Sequence, residues 1–544
     1  MYFTLEPATP FERSILWRLH HSYFAQRGIQ AWREGDIPYF STSNYAFARQ
    51  HARFFAALVE DMEAQGSLKP DDEVWLLEGG AGTGIFAANF LRSIERGEVG
   101  RPGLFQRVRY LMTDYSEKNV RDALATPRIA RYAELGNLVP ARYDLTQPTQ
   151  IHVLDRPPVT KKLAFAINNY ICCVLPMRHL QRRADGFWYD LHVEVRAEVD
   201  DPTLASPERY MEAITKEATK HNLLKNFDIT WEWRASDPAE KFEDATHIRL
   251  LQRIVEGFPE ATLGYPDRYV DYLRGLGTIM LPGGAIMTND YGSTNRGRLQ
   301  GLSEWRPQFY GNTFNQDVNL SIFDAFAAET GWNCLKTEGD LASVHTAVLQ
   351  QTPAGPHVRE AFAKYYGTFG ESDDLLDYSN AARSYFQKKE SARALRFYMR
   401  CAELDPDNAE HRYRVGEAAI EAGFYDIGVK HLHVGFDIDY ERVWDFEFQL
   451  GRAYCLLNDN ATALDWYEKS SVRAPHPVTH TNMGVLYAAE GRLKEAYQCY
   501  KRALALDPDY ERAKERLAAL KDAVWEQTAA EFDREAAPAS GGDA

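Results

Sequence analysis

The sequence predicts two folds in one chain: an α/β domain built on a mostly parallel sheet, then an all-α solenoid of paired helices. Three observations predict this. At 544 residues the chain is long enough for two or more hydrophobic cores. One stretch, Val74 to Phe90, reads VWLLEGGAGTGIFAANF, an apolar run followed by spaced glycines and a helical run. From about Asp377 the texture changes, and glycines, alanines and prolines recur with a period of about 34 residues.

The Val74–Phe90 stretch organises the first domain. Val74 to Leu77 is a short apolar run that reads as a buried strand, Glu78 follows, and the helical pattern runs through Leu91. Strand, glycine-rich turn and helix form the opening unit of a nucleotide-binding sheet. Gly80, Gly82 and Gly84 permit positive φ and let backbone N–H groups approach a ligand in front of a helix N-terminus. The alternative is a purely structural turn. The spacing, Glu78-x-Gly80-x-Gly82-x-Gly84, is not the dinucleotide Gly-x-Gly-x-x-Gly. It is similar to motif I of class I S-adenosylmethionine (SAM) methyltransferases, in which an acid ends the first strand.

Composition narrows the classes. Apolar residues make up 45% and charged residues 26%, as in ordinary globular protein. A formal net charge of −16 argues against a general nucleic-acid binder, which needs a basic face. The six cysteines have no metal spacing, so no metal is expected, and Cys172 and Cys173 are adjacent, so a reduced, cytoplasmic compartment is the simple reading. The N-terminus lacks a basic stretch followed by an apolar core, and no apolar run approaches membrane-spanning length.

In chain order, residues 9–34 read as an amphipathic helical entry with Phe11, Ile15, Leu16 and Leu19 on one face. Gly35 to Asn44 is a turn-rich loop whose Tyr39 and Thr42 either cap the next helix or line a ligand site. A second strand over about Val108–Thr113 ends at Asp114-Tyr115-Ser116, where an acid usually holds a ribose hydroxyl pair. A third, near Leu138–Tyr143, ends at Asp144, a candidate for the adenine edge. A fourth, Lys162–Ile167, runs into Asn168, Asn169 and Tyr170 at the carboxyl edge of the sheet. Residues 187–199 alternate like a strand with one exposed face. Residues 203–275 read as a mostly helical insertion over the active face. A Gly-Gly turn and a strand then lead to Asp290-Tyr291-Gly292, and the domain closes through helix Leu320–Thr330 and strand Ser343–Leu349.

These residues resemble the MidA family of class I methyltransferases, which includes a mitochondrial complex I assembly factor that methylates protein arginine. The resemblance covers roughly residues 11–350. It rests on Gly35-Asp36 with Thr42-Ser43, on Glu78 to Gly84, on Asp114-Tyr115-Ser116, on Asn169 to Leu175-Pro176, on Asp290-Tyr291-Gly292, and on Gln316 to Asn319. It implies a Rossmann-like, mostly parallel seven-stranded sheet and SAM as cofactor. Glu78, Gly80, Gly82, Gly84, Asp114, Ser116 and Asp144 are then cofactor residues, and Tyr39, Thr42, Asp290 and Tyr291 are substrate residues. The chain departs from the family pattern where Tyr170 stands for a Glu, Cys173 for an Asp and Leu263 for a further acid. Guanidinium recognition favours paired carboxylates, which those positions lack.

The carboxy-terminal part resembles tetratricopeptide repeats. Gly416, Gly451 and Gly484 lie 35 and then 33 residues apart, Tyr454 and Tyr487 each follow a glycine by three, and Pro406, Pro475 and Pro508 close repeats. Four repeats are expected, at about 375–408, 409–442, 444–476 and 477–510, each burying its apolar face on its neighbour. The expected organisation is a methyltransferase domain over 1–350, a Pro/Gly-bearing linker over 351–376, repeats with a capping helix over 377–526, and a disordered tail over 527–544. The concave face of the repeats is the default surface for a protein or peptide partner.

Methyl transfer is an in-line displacement, so the protein's task is to position the acceptor. The side-chain carbonyl of Asn168 or Asn169 could accept an amine's hydrogens and aim its lone pair, with Tyr170 packed against it. The sequence therefore supports a methyltransferase whose repeats recruit a protein substrate. The alternatives are a small-molecule methyltransferase, or a non-catalytic scaffold that retains the SAM fold.

Overall fold

The computed structural model describes residues 2–28, 43–198, 206–216, 224, 227–310, 313–339, 344–367, 371–439 and 442–522. Contacts divide the chain into two compact units, Met1–Asp374 and Leu375–Ala544.

Along the first unit the elements run β1 (Tyr2–Pro10), α1 (Ile15–Arg27), α2 (Tyr45–Ala64), β2 (Val74–Gly79), α3 (Ile85–Glu95), β3 (Val108–Asp114), α4 (Glu117–Leu124), α5 (Pro127–Glu134), β4 (Leu138–Tyr143), β5 (Ile151–Val153), β6 (Leu163–Asn169), β7 (Arg178–Arg182), β8 (Trp188–Glu198), α6 (Pro207–Lys216), β9 (Phe227–Ser236), α7 (Ala245–Ile254), β10 (Ala261–Tyr265), α8 (Asp267–Thr278), β11 (Met280–Asp290), α9 (Ile322–Thr330), β12 (Asn333–Lys336), β13 (His345–Gln350) and α10 (Pro356–Tyr366).

The main sheet has the order β12-β13-β11-β6-β2-β3-β4-β5. Neighbours from β11 through β4 pair in parallel, β13 runs antiparallel beside β11, and the three-residue β5 adds an antiparallel edge beyond the seven expected strands. The strand order reverses between β6 and β2, so their carboxyl ends open a crevice of the kind that receives ligands in such sheets. Strand alternation feeds two cores. Leu76, Tyr110 and Phe165 face α2, α3 and α10, whereas Leu77, Leu111 and Ala166 face α7, α8 and α9.

Three expectations change. The stretch 203–275 is helical over much of its described length, but it is not only a helical cover, because it also carries two strands. β9 pairs along β8 and β10 pairs with β7, so together with β1 they build a second, antiparallel sheet. α8, the last helix of that stretch, packs Tyr269, Tyr272, Leu273 and Leu276 into the core of the main sheet. Phe227, Ile229 and Trp231, on alternate positions of β9, form the inner face of that strand. Next, the N-terminal helix α1 starts at Ile15 rather than near residue 9 and follows a strand, β1, while residues 29–34 lie outside the described residues. Finally, residues 351–376 are not a bare linker. α10 starts with Pro356 in its first turn, and Val358, Ala361, Phe362 and Tyr366 are buried. Buried Asp61 on α2 accepts from the Val358 N–H at 2.8 Å and caps α10. Gly355 allows this approach, because a Cβ there would lie 2.2 Å from the Asp61 carboxyl carbon. Pro356, one of the residues that suggested a linker, is a start signal of this helix, and Gly367 follows its end.

The second unit contains four helix pairs: Glu371–Gln387 with Ser391–Leu404, Ala409–Glu421 with Tyr425–Ile438, Phe446–Leu456 with Asn460–Arg473, and Pro477–Ala489 with Leu493–Leu506. A further helical stretch spans 511–522. The periodic glycines mark close crossings within pairs, since a Cβ on Gly416, Gly451 or Gly484 would meet Leu432, Tyr467 or Tyr500. The tail expected to be disordered lies outside the described residues. No described helix is long and apolar enough to cross a membrane.

Candidate active site

The glycine turn follows β2 directly. Gly80, Gly82 and Gly84 adopt φ values of +67°, +53° and +71°, which a side chain bears only with strain. A Cβ on Gly80 would also lie 2.4 Å from Ile171 Cδ1, so the turn is packed against the loop after β6. Three of its amides are used internally: Ala81 N–H donates to the Thr113 carbonyl at 2.7 Å, Gly82 N–H to Asp114 Oδ2 at 3.2 Å, and Gly84 N–H to the Ala81 carbonyl at 2.9 Å.

Asp114 thus ties the tip of β3 to the glycine turn. Its other oxygen accepts from Ser116 N–H at 2.9 Å and from Asn119 Nδ2 at 3.1 Å. Burial pushes its carboxyl up to about 6, against the pull of those donors. Ser116 caps α4, accepting from Asn119 N–H. Glu78 is buried beneath the turn, where Tyr110 Oη donates to it at 3.0 Å and burial pushes it up to about 8. Asp144 closes the turn after β4, its Oδ1 accepting from Thr146 N–H at 2.9 Å.

The loop after β6 supplies the opposite wall. Asn168 is buried, its Oδ1 accepting from Tyr272 Oη at 2.8 Å, and its Nδ2 is buried with no hydrogen-bond partner among the described residues. Asn169 is half-buried, and its Oδ1 accepts from Asn289 Nδ2 at 2.9 Å. Asn289 Nδ2 also meets His51 Nε2 at 3.0 Å, and His51 Nδ1 meets the Phe47 carbonyl at 2.7 Å. Both asparagine carbonyls thus already accept a hydrogen bond within the protein, which departs from their expected role as acceptors for an incoming amine.

Tyr170 takes φ +55°, a left-handed conformation that costs a non-glycine residue on the order of 1 kcal/mol and collects at functional sites. Its ring stacks on Tyr291 at 4.4 Å between centroids and 11° between planes. Asp290 is fully buried and holds this loop from below, accepting from Cys173 N–H at 3.0 Å and Tyr291 N–H at 2.9 Å. Gln316 Nε2 donates to the Leu175 carbonyl at 3.0 Å and fixes the loop's far end. Asp290, expected to touch substrate, is instead a loop anchor. Leu263 is buried in β10 opposite Leu180, in the second sheet.

The strand tips therefore bring together Glu78, the three glycines, Asp114 and Ser116 on one side, and Asn168, Asn169, Tyr170 and Tyr291 on the other. Asp144 sits one strand further out. Tyr39 and Thr42 lie outside the described residues. Sequence reasoning missed His51, Asn289 and Thr346, whose Oγ1 donates to Asn289 Oδ1 at 2.7 Å. The last two flank or face the Asp290-Tyr291 landmark, but a histidine in mid-helix carries no signal of this kind. Among the described residues no cluster of His, Cys, Asp and Glu could hold a metal ion.

The family described as "Putative S-adenosyl-L-methionine-dependent methyltransferase" matches residues 52–317, and tetratricopeptide-repeat families match residues 378–408 and 477–510. No curated protein matches the chain. Among solved structures, a protein from Burkholderia thailandensis bound to S-adenosyl-homocysteine is 17% identical, over 66% of this chain and 91% of its own, with a TM-score of 0.39. MamA from Desulfovibrio magneticus is 19% identical, over 30% of this chain and 93% of its own, with a TM-score of 0.27. YrrB, a repeat protein with an unusual peptide-binding site, is 22% identical, over 27% and 75%, with a TM-score of 0.24. The first unit holds a SAM-dependent methyltransferase domain, SAM is its cofactor, and the helix pairs of the second are tetratricopeptide repeats.

Proposed function

We propose that this chain methylates a protein or peptide side chain, with SAM held at the glycine turn and the substrate recruited by the repeats. The observation that carries the cofactor placement is the run of three left-handed glycines after β2, pressed against the loop after β6 and stapled to β3 by Asp114. A Cβ at Gly80 or Gly84 would crowd Ile171 or Ile129, and the orphaned Asn168 amide is a buried donor at the same edge. These features fit a ligand that needs close backbone approach and polar partners. SAM supplies an activated methyl group on a sulfonium.

Gly80, Gly82 and Gly84 bring the backbone against the cofactor, and Asp114 and Ser116 fix the turn that faces its ribose. Asn169 and the stacked Tyr170–Tyr291 pair border the acceptor. Asn289 and Asp290 position them. The resemblance to an arginine methyltransferase family finds little support at this edge, because the one acid among Asn168–Cys173 and Asp290–Tyr291 is buried Asp290, turned to backbone N–H groups.

Calorimetry with SAM and with S-adenosyl-homocysteine tests the placement. Wild type binds both, and Gly82→Val, which puts a β-branched side chain at φ +53°, loses most of that affinity. Equal binding by both proteins removes the cofactor from this turn. Isotope-labelled SAM and a lysate, read by mass spectrometry with Gly82→Val as control, then separates a labelled protein from a labelled metabolite. The latter result replaces the protein-substrate reading with a small-molecule one.

A further inference from the structure

The hydrogen-bond chain behind the acceptor edge has a defined direction. The Phe47 carbonyl only accepts, so His51 Nδ1 carries a proton. His51 is fully buried, and burial drives its imidazole down to about 4, so the ring is neutral and Nε2 is a bare acceptor. The Asn289 atom 3.0 Å from Nε2 must therefore be its NH2, and the second proton of that NH2 points to Asn169 at 2.9 Å. The Asn169 atom that receives it must be the carbonyl oxygen. Thr346, donating to Asn289 Oδ1, agrees with this setting. A single backbone carbonyl on α2 thereby fixes one tautomer and two amide orientations in turn. The outcome is that Asn169 turns its NH2 away from the chain, where it has no partner among the described residues.

We infer that Asn169 is a specificity-determining donor, and that the group it presents itself to is a carboxylate of the methyl acceptor rather than an ammonium or guanidinium. The inference rests on the methyltransferase reading and narrows it. Two further observations support it. An ammonium or guanidinium nucleophile must first lose a proton, yet Glu78, Asp114, Asp290 and His51, the carboxyl groups and imidazole around the glycine turn and this loop, are all buried and engaged with protein donors or acceptors. A carboxylate needs no base. One of its oxygens gives a lone pair to the methyl carbon while the carbon–sulfur bond breaks and its pair stays on sulfur. The products are a methyl ester and the neutral thioether, and no proton moves. The second carboxylate oxygen is free to accept from Asn169 Nδ2.

Side-chain amide NMR on protein carrying nitrogen-15 asparagine and saturated with S-adenosyl-homocysteine tests this, using acetate and guanidinium as probes at matched ionic strength. The Asn169 NH2 signal, assigned by its loss in Asn169→Asp, should shift and saturate with acetate and ignore guanidinium. Asn169→Asp keeps the oxygen that faces Asn289 but replaces the donor by an acceptor, so acetate affinity should fall about tenfold or more. Asn289→Asp removes the NH2 that sets Asn169, so Asn169 should turn over, and the response should pass from acetate to guanidinium. A wild-type signal that responds to guanidinium and not to acetate, or to neither, overturns the inference. Failure of S-adenosyl-homocysteine to bind in the same samples overturns the methyltransferase reading itself, which keeps the two failures distinct.

Discussion

Asp114 Oδ2 accepts the Gly82 N–H at 3.2 Å, and this bond joins the tip of the second parallel strand to the middle of the glycine turn. It makes Asp114 → Asn a sharp test. Oδ1 faces two donors, Ser116 N–H and Asn119 Nδ2, and Oδ2 faces a third, so an amide NH2 meets a donor in either orientation. The substitution should cost about 1–3 kcal/mol of stability and weaken SAM binding through the turn. Thermal unfolding and calorimetry measure the two effects. An unchanged melting temperature would mean that the turn does not depend on this staple.

A second expectation concerns pH. The folded protein holds protons on Glu78, raised by burial to about 8, and on Asp290, raised to about 7, more tightly than the unfolded chain does. Their contribution to stability is therefore complete below their ordinary carboxylate range and is lost as pH rises through those values. The buried histidines His20, His51 and His179 have depressed values, act in the opposite sense, and finish titrating near their unfolded value of about 6.5. Between pH 6.5 and 8.5 the acids dominate. Denaturant unfolding without cofactor should show stability falling across this window, and Glu78→Gln should flatten the fall by on the order of a few kcal/mol. A wild-type and Glu78→Gln pair with parallel profiles would contradict the assignment.

The parts legible in the sequence are those in which one short segment carries its own signal. Val74 to Leu91 announced strand, turn and helix because apolar period and glycine spacing agree within 18 residues. The repeats announced themselves by recurrence. The two strands within 203–275 were missed because they pair with distant partners, β9 with β8 and β10 with β7, and a half-exposed edge strand rich in Trp reads much like an amphipathic helix. The Phe47–His51–Asn289–Asn169 chain was illegible for a deeper reason. Its members lie up to 238 positions apart in the hydrogen bond between His51 and Asn289, and no local pattern records a tautomer.

Gly84 and Gly97 separate two costs of a side chain in this domain. Both have positive φ, +71° and +73°. Nothing lies within 4 Å of a Cβ at Gly97, whereas a Cβ at Gly84 would sit 2.7 Å from Ile129 Cδ1 and 2.8 Å from Met112 Sδ. Gly97→Ala should cost about 1 kcal/mol, the backbone strain alone, and Gly84→Ala about 2–4 kcal/mol, strain plus overpacking. Only Gly84→Ala should also weaken SAM binding. Equal losses in the two variants would show that the turn repacks around a methyl group.

The repeats should fold without the methyltransferase domain. From Leu375 onward the contacts form their own compact unit, and its apolar side chains gather in clusters that run from pair to pair: Ala394, Tyr398 and Val415, then Ile420, Leu432 and Phe446, then Tyr467, Met483 and Tyr500. Stacking of neighbours is what stabilises such arrays. A fragment spanning Leu375–Ala544 should therefore be helical by circular dichroism and unfold in a single cooperative transition. Gly451→Val locates the stabilising contacts, because a Cβ there would meet the Tyr467 ring at 2.6 Å. The added side chain forces two helices of one pair apart and should lower the fragment's transition by about 2–3 kcal/mol. In the full chain the same substitution should leave SAM affinity unchanged, since none of the groups around the glycine turn lies in this unit. A fragment that stays unfolded, or a Gly451→Val fragment as stable as the parent, would show that the seams between helix pairs are not what holds the solenoid together.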